Sequence, residues 1–346
     1  MALSSPPSPG LPLAYRLRFA LHAAVVAPSI HNTQPWRFRI TEGPEPAVEL
    51  LLDPGRELPA LDPAHRQLII SCGSALAAYE IGLRSCGLEP RVTLLPTDAT
   101  ASGEACVARI RVADLGASDP RSTHLLPGLR RRRTYRGAMT TEKVAPTLCD
   151  ELMDTVEDEC HLQLIVDDRW RAVEHLIVRA AIELSDTTDV DHETRDWTRL
   201  DERTSDGVPA ANWQRTSEQS AGAPIVQRDF AQGRPLPGQP ETHGPRGPEG
   251  DPLIAVLVTR ADTSRDWLET GRALLRLSLA AQEAGLALGY VNQPTEVAGL
   301  REELADLLQP LPSGFAVPQL VLRLGYPAEP MPPVTPRRPV SAVLLR

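Results

Sequence analysis

A loop with four closely spaced polar side chains follows the first apolar helix of the sequence. Residues 27–36 read Ala-Pro-Ser-Ile-His-Asn-Thr-Gln-Pro-Trp. The helix is predicted to end at Pro28, because proline removes a backbone donor and restricts the residue before it. Hydroxyl, imidazole and amide groups on such a loop can hydrogen-bond the edge of a flat, heteroatom-rich ligand while Trp36 packs behind them. A helix stop followed by an ordinary turn is the alternative interpretation.

A cluster of arginines in the middle of the chain is the second chemical candidate. Residues 130–136 read Arg-Arg-Arg-Arg-Thr-Tyr-Arg, which places five guanidinium groups within seven residues. A guanidinium matches phosphate oxygens in pairs. A helix predicted over Glu142–Glu159 would add the favourable potential of its N-terminal amides. The cluster predicts a phosphate site; a solvated basic turn and a nucleic-acid patch are the alternatives.

Two further segments give weaker chemical signals. Residues 288–294 read Leu-Gly-Tyr-Val-Asn-Gln-Pro after a long predicted helix, and Gly289 would allow a close approach to the backbone. A plain helix–strand connection explains them equally well. Arg337 and Arg338 lie in a proline-rich tail, where phosphate contact and an exposed basic tail are both compatible with the sequence. His31 is a weak candidate for proton transfer, because the reference pKa of histidine lies near neutrality.

Composition and charge argue against several classes of protein. The chain has 346 residues, enough for two domains or one large two-part domain, and its formal net charge is −9. An acidic chain is a poor partner for nucleic acid or an anionic membrane, and no apolar run is long enough to span a bilayer. The N-terminus does not resemble a secretory signal, and the five scattered cysteines form no C-x-x-C pair, so we expect a cytoplasmic protein. The eight histidines show no metal-binding spacing, so we expect no metal site.

Two long helices, predicted at Arg66–Cys86 and Trp267–Ala284, contain an internal repeat. One contains Cys-Gly-Ser-Ala-Leu at 72–76 and the other Thr-Gly-Arg-Ala-Leu at 270–274, and a Gly-Leu pair follows each leucine at the same distance. Chance similarity between two apolar helices is the alternative to a fused pair of related halves. We expect a first half at residues 12–125 and a second half at 126–346.

Other elements alternate between strand and helix patterns, which predicts a mixed α+β fold. Strands are predicted at 37–40, 48–52, 91–95, 105–113, 162–166, 253–259 and 318–324, and helices at 142–159, 170–184, 193–201 and 297–308. Residues 203–252 lose periodicity and are rich in proline and glycine, which is typical of a functional or disordered loop. We interpret this stretch as a lid-like insertion in the second half.

The 27–36 loop and the arginine cluster resemble the flavin-binding segments of the nitroreductase superfamily, and within it of the Acg-like family of FMN-binding proteins. Members are usually homodimers in which one subunit supplies the arginine motif and its partner supplies the loop. Here the loop occurs cleanly only in the first half and the arginine motif only in the second; residues 207–213 keep a proline, an asparagine and a tryptophan but not the loop pattern. The resemblance therefore implies two fused nitroreductase-type halves, an intramolecular pseudo-dimer that is monomeric and holds one FMN.

The resemblance also implies the cofactor-binding residues. They are Pro28, Ser29, His31, Asn32, Gln34, Arg132, Arg133, Thr134, Arg136, Gly289, Asn292, Gln293, Arg337 and Arg338. Arg130 and Arg131 are expected to be solvated. In the family the segment matching 288–294 runs beside the flavin ring, where a backbone N–H reaches N5. No confident catalytic residue is predicted, because the flavin carries the chemistry.

The implied function is an FMN-dependent oxidoreductase of nitroreductase type. It would pass hydride between the flavin N5 and a nicotinamide or small organic substrate such as a nitroaromatic, quinone or specialised metabolite. NAD(P)H would be a transient electron donor, since the sequence lacks a Rossmann glycine fingerprint. The alternatives are an FMN storage or sequestration protein whose lid closes the site, and a flavin-free interaction module.

Overall fold

The computed structural model describes residues 6–41, 43, 45–97, 105–156, 159–165, 168–201, 204–213, 228, 230, 252–312 and 314–345. The chain forms two compact units. Unit 1 comprises Met1–Arg132, Thr263–Leu279 and Pro336–Arg346, and unit 2 comprises Arg133–Asp262 and Ala280–Thr335.

Helices and strands are interspersed along the chain, which gives the mixed composition that the sequence patterns predict. The helices are α1 Leu13–Ala24, α2 Arg66–Ser85, α3 Pro120–Arg131, α4 Pro146–Asp154, α5 Arg169–Ser185, α6 Thr188–Asp196, α7 Ser264–Glu283, α8 Gln293–Glu296, α9 Ala298–Leu307 and α10 Val340–Val343. The strands are β1 Trp36–Thr41, β2 Ala47–Leu52, β3 Leu88–Leu94, β4 Cys106–Asp114, β5 Cys160–Ile165, β6 Thr198–Arg199, β7 Val208–Pro209, β8 Leu253–Thr259, β9 Ala287–Tyr290 and β10 Val317–Gly325.

Unit 1 is built on a four-stranded antiparallel sheet with the strand order β1-β2-β4-β3. In the first ladder Trp36 pairs with Leu52 and Thr41 with Ala47. One hydrophobic cluster joins this sheet to α1 and α2, with Trp36 and Phe38 fully buried in it. Every second residue at the start of β1 is buried, so these side chains face the helices. The strand that continues the 27–36 loop is therefore anchored by its apolar side chains.

Unit 2 contains a second antiparallel sheet of four strands, with the order β5-β8-β10-β9. Its apolar cluster joins α5 and α9 to the central strands β8 and β10. The strand β10 is buried along almost its whole length, and its sequence is apolar apart from Gln319 and Arg323.

The two sheets have the same connectivity, which matches the repeat predicted from the long helices. In each sheet the fourth strand in sequence lies between the second and the third. A helix of 20 residues follows the second strand in both halves of the chain, α2 in one and α7 in the other. Gly87 and Gly285, which follow these helices, both have φ of 76°, the left-handed conformation that favours glycine after a helix.

Within unit 1, α2 and the first part of α7 cross at the two glycines of the repeat. A Cβ on Gly73 would overlap the carbonyl oxygen of Leu268, and a Cβ on Gly271 would overlap that of Ile70. The offset from Gly73 to Gly271 equals the offset from Ile70 to Leu268, so the contact is reciprocal. A reciprocal contact of this kind is typical of a two-fold axis.

The unit boundaries differ from the two continuous halves expected at 12–125 and 126–346. The chain changes unit after Arg132, at the end of α3, and the segments Thr263–Leu279 and Pro336–Arg346 belong to unit 1. The reason is apolar packing, because Leu268 and Val343 are part of the unit 1 cluster. Of the lid-like insertion predicted at 203–252, only residues 204–213, 228, 230 and 252 lie among the described residues.

Candidate functional site

The 27–36 loop has an unusual backbone. Residues Ile30–Asn32 form a single 3-10 turn, and His31, Asn32 and Gln34 have φ values of 45°, 55° and 52°. A left-handed conformation costs a residue with a side chain roughly 1–3 kcal/mol, and such residues cluster at functional sites. Three of them within four positions require strong external restraints.

Short hydrogen bonds from unit 1 supply part of that restraint. The Ser29 hydroxyl accepts from the backbone N–H of Gln34 at 3.0 Å, and the Ser71 hydroxyl on α2 accepts from the N–H of Ile30 at 3.1 Å. Ser29 therefore closes the turn on itself, and α2 fixes where the turn begins.

The C-terminal segment of unit 1 holds the other side of the loop. The Asn32 amide donates to the carbonyl of Pro336 at 3.1 Å, and the Gln34 side-chain oxygen accepts from the N–H of Arg338 at 2.8 Å. The Arg338 guanidinium donates to the Gln34 carbonyl at 3.2 Å. The tail thus places Arg337 and Arg338 beside the loop through two hydrogen bonds that each join residues 304 positions apart in sequence.

Arg338 is held by protein groups on several sides. Its guanidinium also contacts Asp53 Oδ2 at 3.1 Å and donates to the carbonyl of Ala342 at 2.8 Å. Burial lowers the pKa of Arg338, the positive charge of Arg56 lowers it further, and Asp53 opposes both effects. These contacts favour a role in fixing the loop over direct contact with a phosphate.

Asp53 is a residue of this site that the sequence analysis did not identify. Its carboxylate is almost completely buried and contacts Arg37 Nη2 at 2.7 Å and Arg56 Nε at 3.5 Å, besides Arg338. Arg56 in turn donates to the carbonyl of Thr33 at 2.7 Å. In the sequence Asp53 begins an Asp-Pro-Gly turn, so its local pattern concealed the role; an aspartate directly after a buried strand was the available signal.

Two polar atoms of the loop are buried without a hydrogen-bond partner among the described residues: Oγ1 of Thr33 and Nε1 of Trp36. A buried polar atom that lacks a partner costs about 1–3 kcal/mol. Together with the left-handed residues, they make the loop a costly local structure, which is typical of a site kept for a ligand.

The first part of the arginine cluster ends a helix that the sequence analysis did not predict. Arg130 and Arg131 form the last turn of α3 and are exposed, as expected, whereas Arg132 is 7 % exposed. The prediction that the cluster leads into a helix was wrong: α4 begins only at Pro146, because proline is favoured in the first turn. The helix α4 therefore does not directly follow the cluster, and the argument from its N-terminal amides does not apply.

The second part of the cluster runs beside β9 in unit 2. Thr134 forms a parallel bridge with Leu288, and the N–H of Tyr135 donates to the Leu288 carbonyl at 2.8 Å. A Cβ on Gly289 would lie 2.5 Å from the Tyr135 carbonyl oxygen. Gly289 thus permits a close approach, as expected, but the group that approaches it is the backbone of the arginine segment.

Arg323 on β10 fixes the backbone on both sides of Arg136. Its side chain is fully buried and donates to the carbonyl of Gly137 at 2.7 Å and that of Tyr135 at 3.4 Å. Arg323 was not identified from the sequence, because an arginine within an apolar strand has no local signal of function.

Arg136 contacts polar and aromatic groups of unit 2. Its guanidinium donates to the carbonyl of Asn212 at 3.1 Å and lies 4.8 Å from the ring centroid of Phe230. Burial lowers the pKa of Arg136 to about 10; Tyr290 opposes the shift, and the charge of Arg323 contributes to it. A guanidinium in such surroundings gains from an anionic partner.

The segment at 207–213, which keeps a proline, an asparagine and a tryptophan but not the loop pattern, shares one structural feature with the 27–36 loop. Residues Ala210–Asn212 form a 3-10 turn in unit 2, and the Asn212 amide donates to the carbonyl of Pro333 at 3.0 Å. Asn32 makes the same type of bond to Pro336 in unit 1. The asparagine in each turn therefore anchors a proline carbonyl.

The remaining predicted residues lie at the end of β9. The Asn292 side-chain oxygen accepts from the N–H of Val321 at 2.9 Å, which ties this connection to β10. Gln293 is buried and begins α8. Asn292 thus has a structural contact that the sequence could not indicate.

A cavity of about 710 Å³ in unit 2 lies apart from the predicted residues. Its lining includes Lys143, Cys149, His161 and Trp170, and none of the predicted cofactor residues contributes to it. Among the described residues there is no group of three or more side chains that could bind a metal, and no helix long and apolar enough to cross a membrane.

Comparison with known proteins decides the family. No family model matches the chain. The Mycobacterium tuberculosis protein named "Putative NAD(P)H nitroreductase Rv3131" is 32% identical over 346 residues, covering 96% of this chain and 92% of the relative. The chain belongs to the nitroreductase superfamily.

Its Acg-like character is supported by a second relative. The Mycobacterium tuberculosis protein named "Putative NAD(P)H nitroreductase acg" is 28% identical over 335 residues, covering 94% of both chains. A crystal structure described as "a putative nitroreductase" from Anabaena variabilis has a TM-score of 0.50 at 12% identity, and the match covers 90% of this chain and 88% of the neighbour. The chain described here therefore has the α+β, nitroreductase-like fold that the resemblance implied.

Proposed function

We propose that this protein is an FMN-dependent oxidoreductase that passes hydride between the flavin and a nicotinamide or a small organic substrate. The observation that carries the proposal is the 27–36 loop. In a chain of the nitroreductase superfamily, it keeps the Pro-Ser-x-x-Asn-x-Gln-Pro-Trp pattern and is held in a costly left-handed conformation. The names of two relatives, which describe NAD(P)H nitroreductases, support the same activity and a nicotinamide donor.

The residues present fit an FMN on the chemistry of their donors. Guanidinium and hydroxyl groups of the arginine segment suit the dianionic phosphate. The loop in unit 1 offers hydroxyl, amide and imidazole groups for the flavin ring and ribityl chain. The proposed residues are Pro28, Ser29, His31, Asn32, Gln34, Arg132, Arg133, Thr134, Arg136, Gly289, Asn292, Gln293, Arg337 and Arg338, of which Arg338 acts by fixing the loop.

When bound, FMN supplies the hydride chemistry at N5. The protein's own residues bind and orient: the loop presents donors that the tail keeps in place, and the arginine segment presents charge that Arg323 keeps in place. His31 is buried in the left-handed part of the loop, where a binding role suits it better than acid catalysis.

We further propose that one chain holds one FMN and is monomeric. The repeated strand order and the reciprocal glycine contact support an internal duplication. The loop pattern occurs cleanly once and the arginine pattern once. Analytical ultracentrifugation with flavin quantification should give a monomer with one FMN; a stable dimer with two flavins per chain would contradict this proposal.

The test of activity is an anaerobic visible spectrum of the purified protein. We expect a yellow protein whose flavin band bleaches on addition of NADH or NADPH and returns with a nitroaromatic or a quinone. A colourless protein that takes up no added FMN would overturn the proposal and favour the flavin-free interaction module.

FMN storage is the second candidate, favoured by contacts of the insertion at 203–252. The Phe230 ring lies against Arg136, and Arg228 forms an ion pair with Glu296. These contacts fix two residues of the insertion on unit 2. A closed insertion would exclude donors, so a flavin that dithionite bleaches and both nicotinamides leave oxidised would support storage over turnover.

A further inference from the structure

Asp53 connects two arginines that each bind the backbone of the 27–36 loop. Its carboxylate lies 3.5 Å from Arg56 Nε and 3.1 Å from Arg338 Nη1. Arg56 donates to the Thr33 carbonyl at 2.7 Å, and Arg338 donates to the Gln34 carbonyl at 3.2 Å. The carboxylate thus fixes two donors on two consecutive loop carbonyls.

The backbone of Asp53 is also part of this arrangement. Its N–H donates to the carbonyl of Pro35 at 3.0 Å, so three consecutive loop carbonyls, from Thr33 to Pro35, are bound by Asp53 or by its arginine partners. The left-handed residues Asn32 and Gln34 lie within or next to this stretch.

The charge of Asp53 is what makes this arrangement stable. Three guanidinium groups converge on one almost completely buried carboxylate, and like charges this close repel one another unless an anion lies between them. A neutral side chain of the same shape would leave the arginines in mutual repulsion and weaken their bonds to the loop.

We infer that Asp53 is a positioning residue for the cofactor: it fixes the 27–36 loop in its binding conformation through Arg56 and Arg338. The inference rests on the proposed function. Without the negative charge of Asp53, the arginines bind the loop carbonyls less tightly, and the left-handed residues can leave their conformation. The affinity for FMN then falls, although Asp53 itself does not contact the ligand.

The experiment compares Asp53→Asn with the matched control Glu49→Gln. Glu49 is a buried carboxylate on β2 that also lies between two arginines, 3.3 Å from Arg39 and 3.0 Å from Arg109, but it has no described bond to the loop. For each protein we would measure the FMN dissociation constant by fluorescence titration, the visible circular dichroism of bound flavin, and the thermal midpoint without flavin.

We expect Asp53→Asn to raise the dissociation constant at least tenfold and to change the flavin dichroism. Glu49→Gln should lower the thermal midpoint and leave affinity within twofold of the parent. Equal affinity of Asp53→Asn and the parent, or equal losses in both variants, would overturn the inference. If Asp53→Asn does not fold, Arg56→Lys keeps the charge but replaces the fork, which contacts Asp53 through Nε and Thr33 through Nη1, with a single ammonium. A parent-like affinity of that variant would overturn the inference as well.

The two hypotheses fail in different ways. A parent protein that binds no FMN overturns the proposed function and the positioning role together. A parent that binds FMN, with variants that bind it equally well, overturns the positioning role alone.

Discussion

The crossing of α2 and α7 at Gly73 and Gly271 predicts that Gly271→Ala destabilises the protein. A Cβ on Gly271 would overlap the Ile70 carbonyl and lie 2.7 Å from the backbone nitrogen of Ser74 and 2.8 Å from Gly73 Cα. Carbon atoms in contact normally lie about 3.5–4.0 Å apart. The helices must therefore move apart.

The expected magnitude combines three effects. Overpacking of a tight interior costs about 1–3 kcal/mol. Separation also lengthens the bond from the Ser74 hydroxyl to the Gly271 carbonyl, which is 2.8 Å long and contributes about 1 kcal/mol. Alanine gains about 0.8–1.0 kcal/mol over glycine in helix propensity. The net change is a loss of about 1–3 kcal/mol in the free energy of unfolding.

Urea unfolding followed by far-ultraviolet circular dichroism measures this change, with Gly299→Ala as the matched control. Gly299 lies in α9, and a Cβ there would have no atom within 4 Å, so this variant should be equally stable or up to about 1 kcal/mol more stable. A Gly271→Ala protein as stable as the Gly299→Ala protein would refute the close reciprocal crossing and, with it, one of the two structural arguments for an internal duplication.

Three further predictions concern the cofactor and an ion pair. Arg133→Glu should weaken FMN binding by about 1.5–3 kcal/mol for each charge-assisted bond lost, whereas Arg131→Glu, at an exposed position, should leave the titrated affinity unchanged. Asn32→Ala should weaken FMN binding with little change in far-ultraviolet dichroism; retention of full affinity in both Arg133→Glu and Asn32→Ala would reject the site. Hydrogen bonding from Arg16 lowers the pKa of Asp114 to about 2. Because the folded pKa is depressed, this stabilisation is present above about pH 4 and is lost as the pH falls towards 2. Asp114 is half exposed, so Asp114→Asn should cost at most about 1 kcal/mol near neutral pH, and the difference from the parent in urea unfolding should shrink as the pH falls through 2.

Sequence patterns were most informative where burial is periodic and local. The helix predicted at Arg66–Cys86 ends within one residue of α2, because its apolar run and the following glycine are strong signals. The helix α3 escaped prediction because Pro127 and Gly128 interrupt its pattern. A long helix was expected at Glu142–Glu159, but α4 covers only Pro146–Asp154. Pro146 occupies its first turn and marks where the helix begins, a signal that the prediction did not use.

In the candidate site, too, residues with a local sequence pattern could be predicted and residues joined only by tertiary contacts could not. The 27–36 loop could be recognised because its residues are contiguous and their order is specific. Asp53 could not, because its partner Arg338 lies 285 positions away and the two are joined by tertiary contacts alone. The buried Arg323 escaped for the same reason: its acceptors, the carbonyls of Tyr135 and Gly137, are nearly 190 positions away, 188 and 186 respectively.

The reciprocal glycine contact has a consequence for how this chain tolerates mutation. In a homodimer with a two-fold axis, one codon change alters both sides of the axis at once. Here Gly73 and Gly271 are encoded separately, so each half can vary while the other stays constant. The turn Ala210–Asn212 illustrates the outcome: it keeps the asparagine that binds Pro333, and it has alanines where the first turn has isoleucine and histidine. Within one chain, therefore, one turn can lack the histidine that the other has, while both keep an asparagine that binds a proline carbonyl.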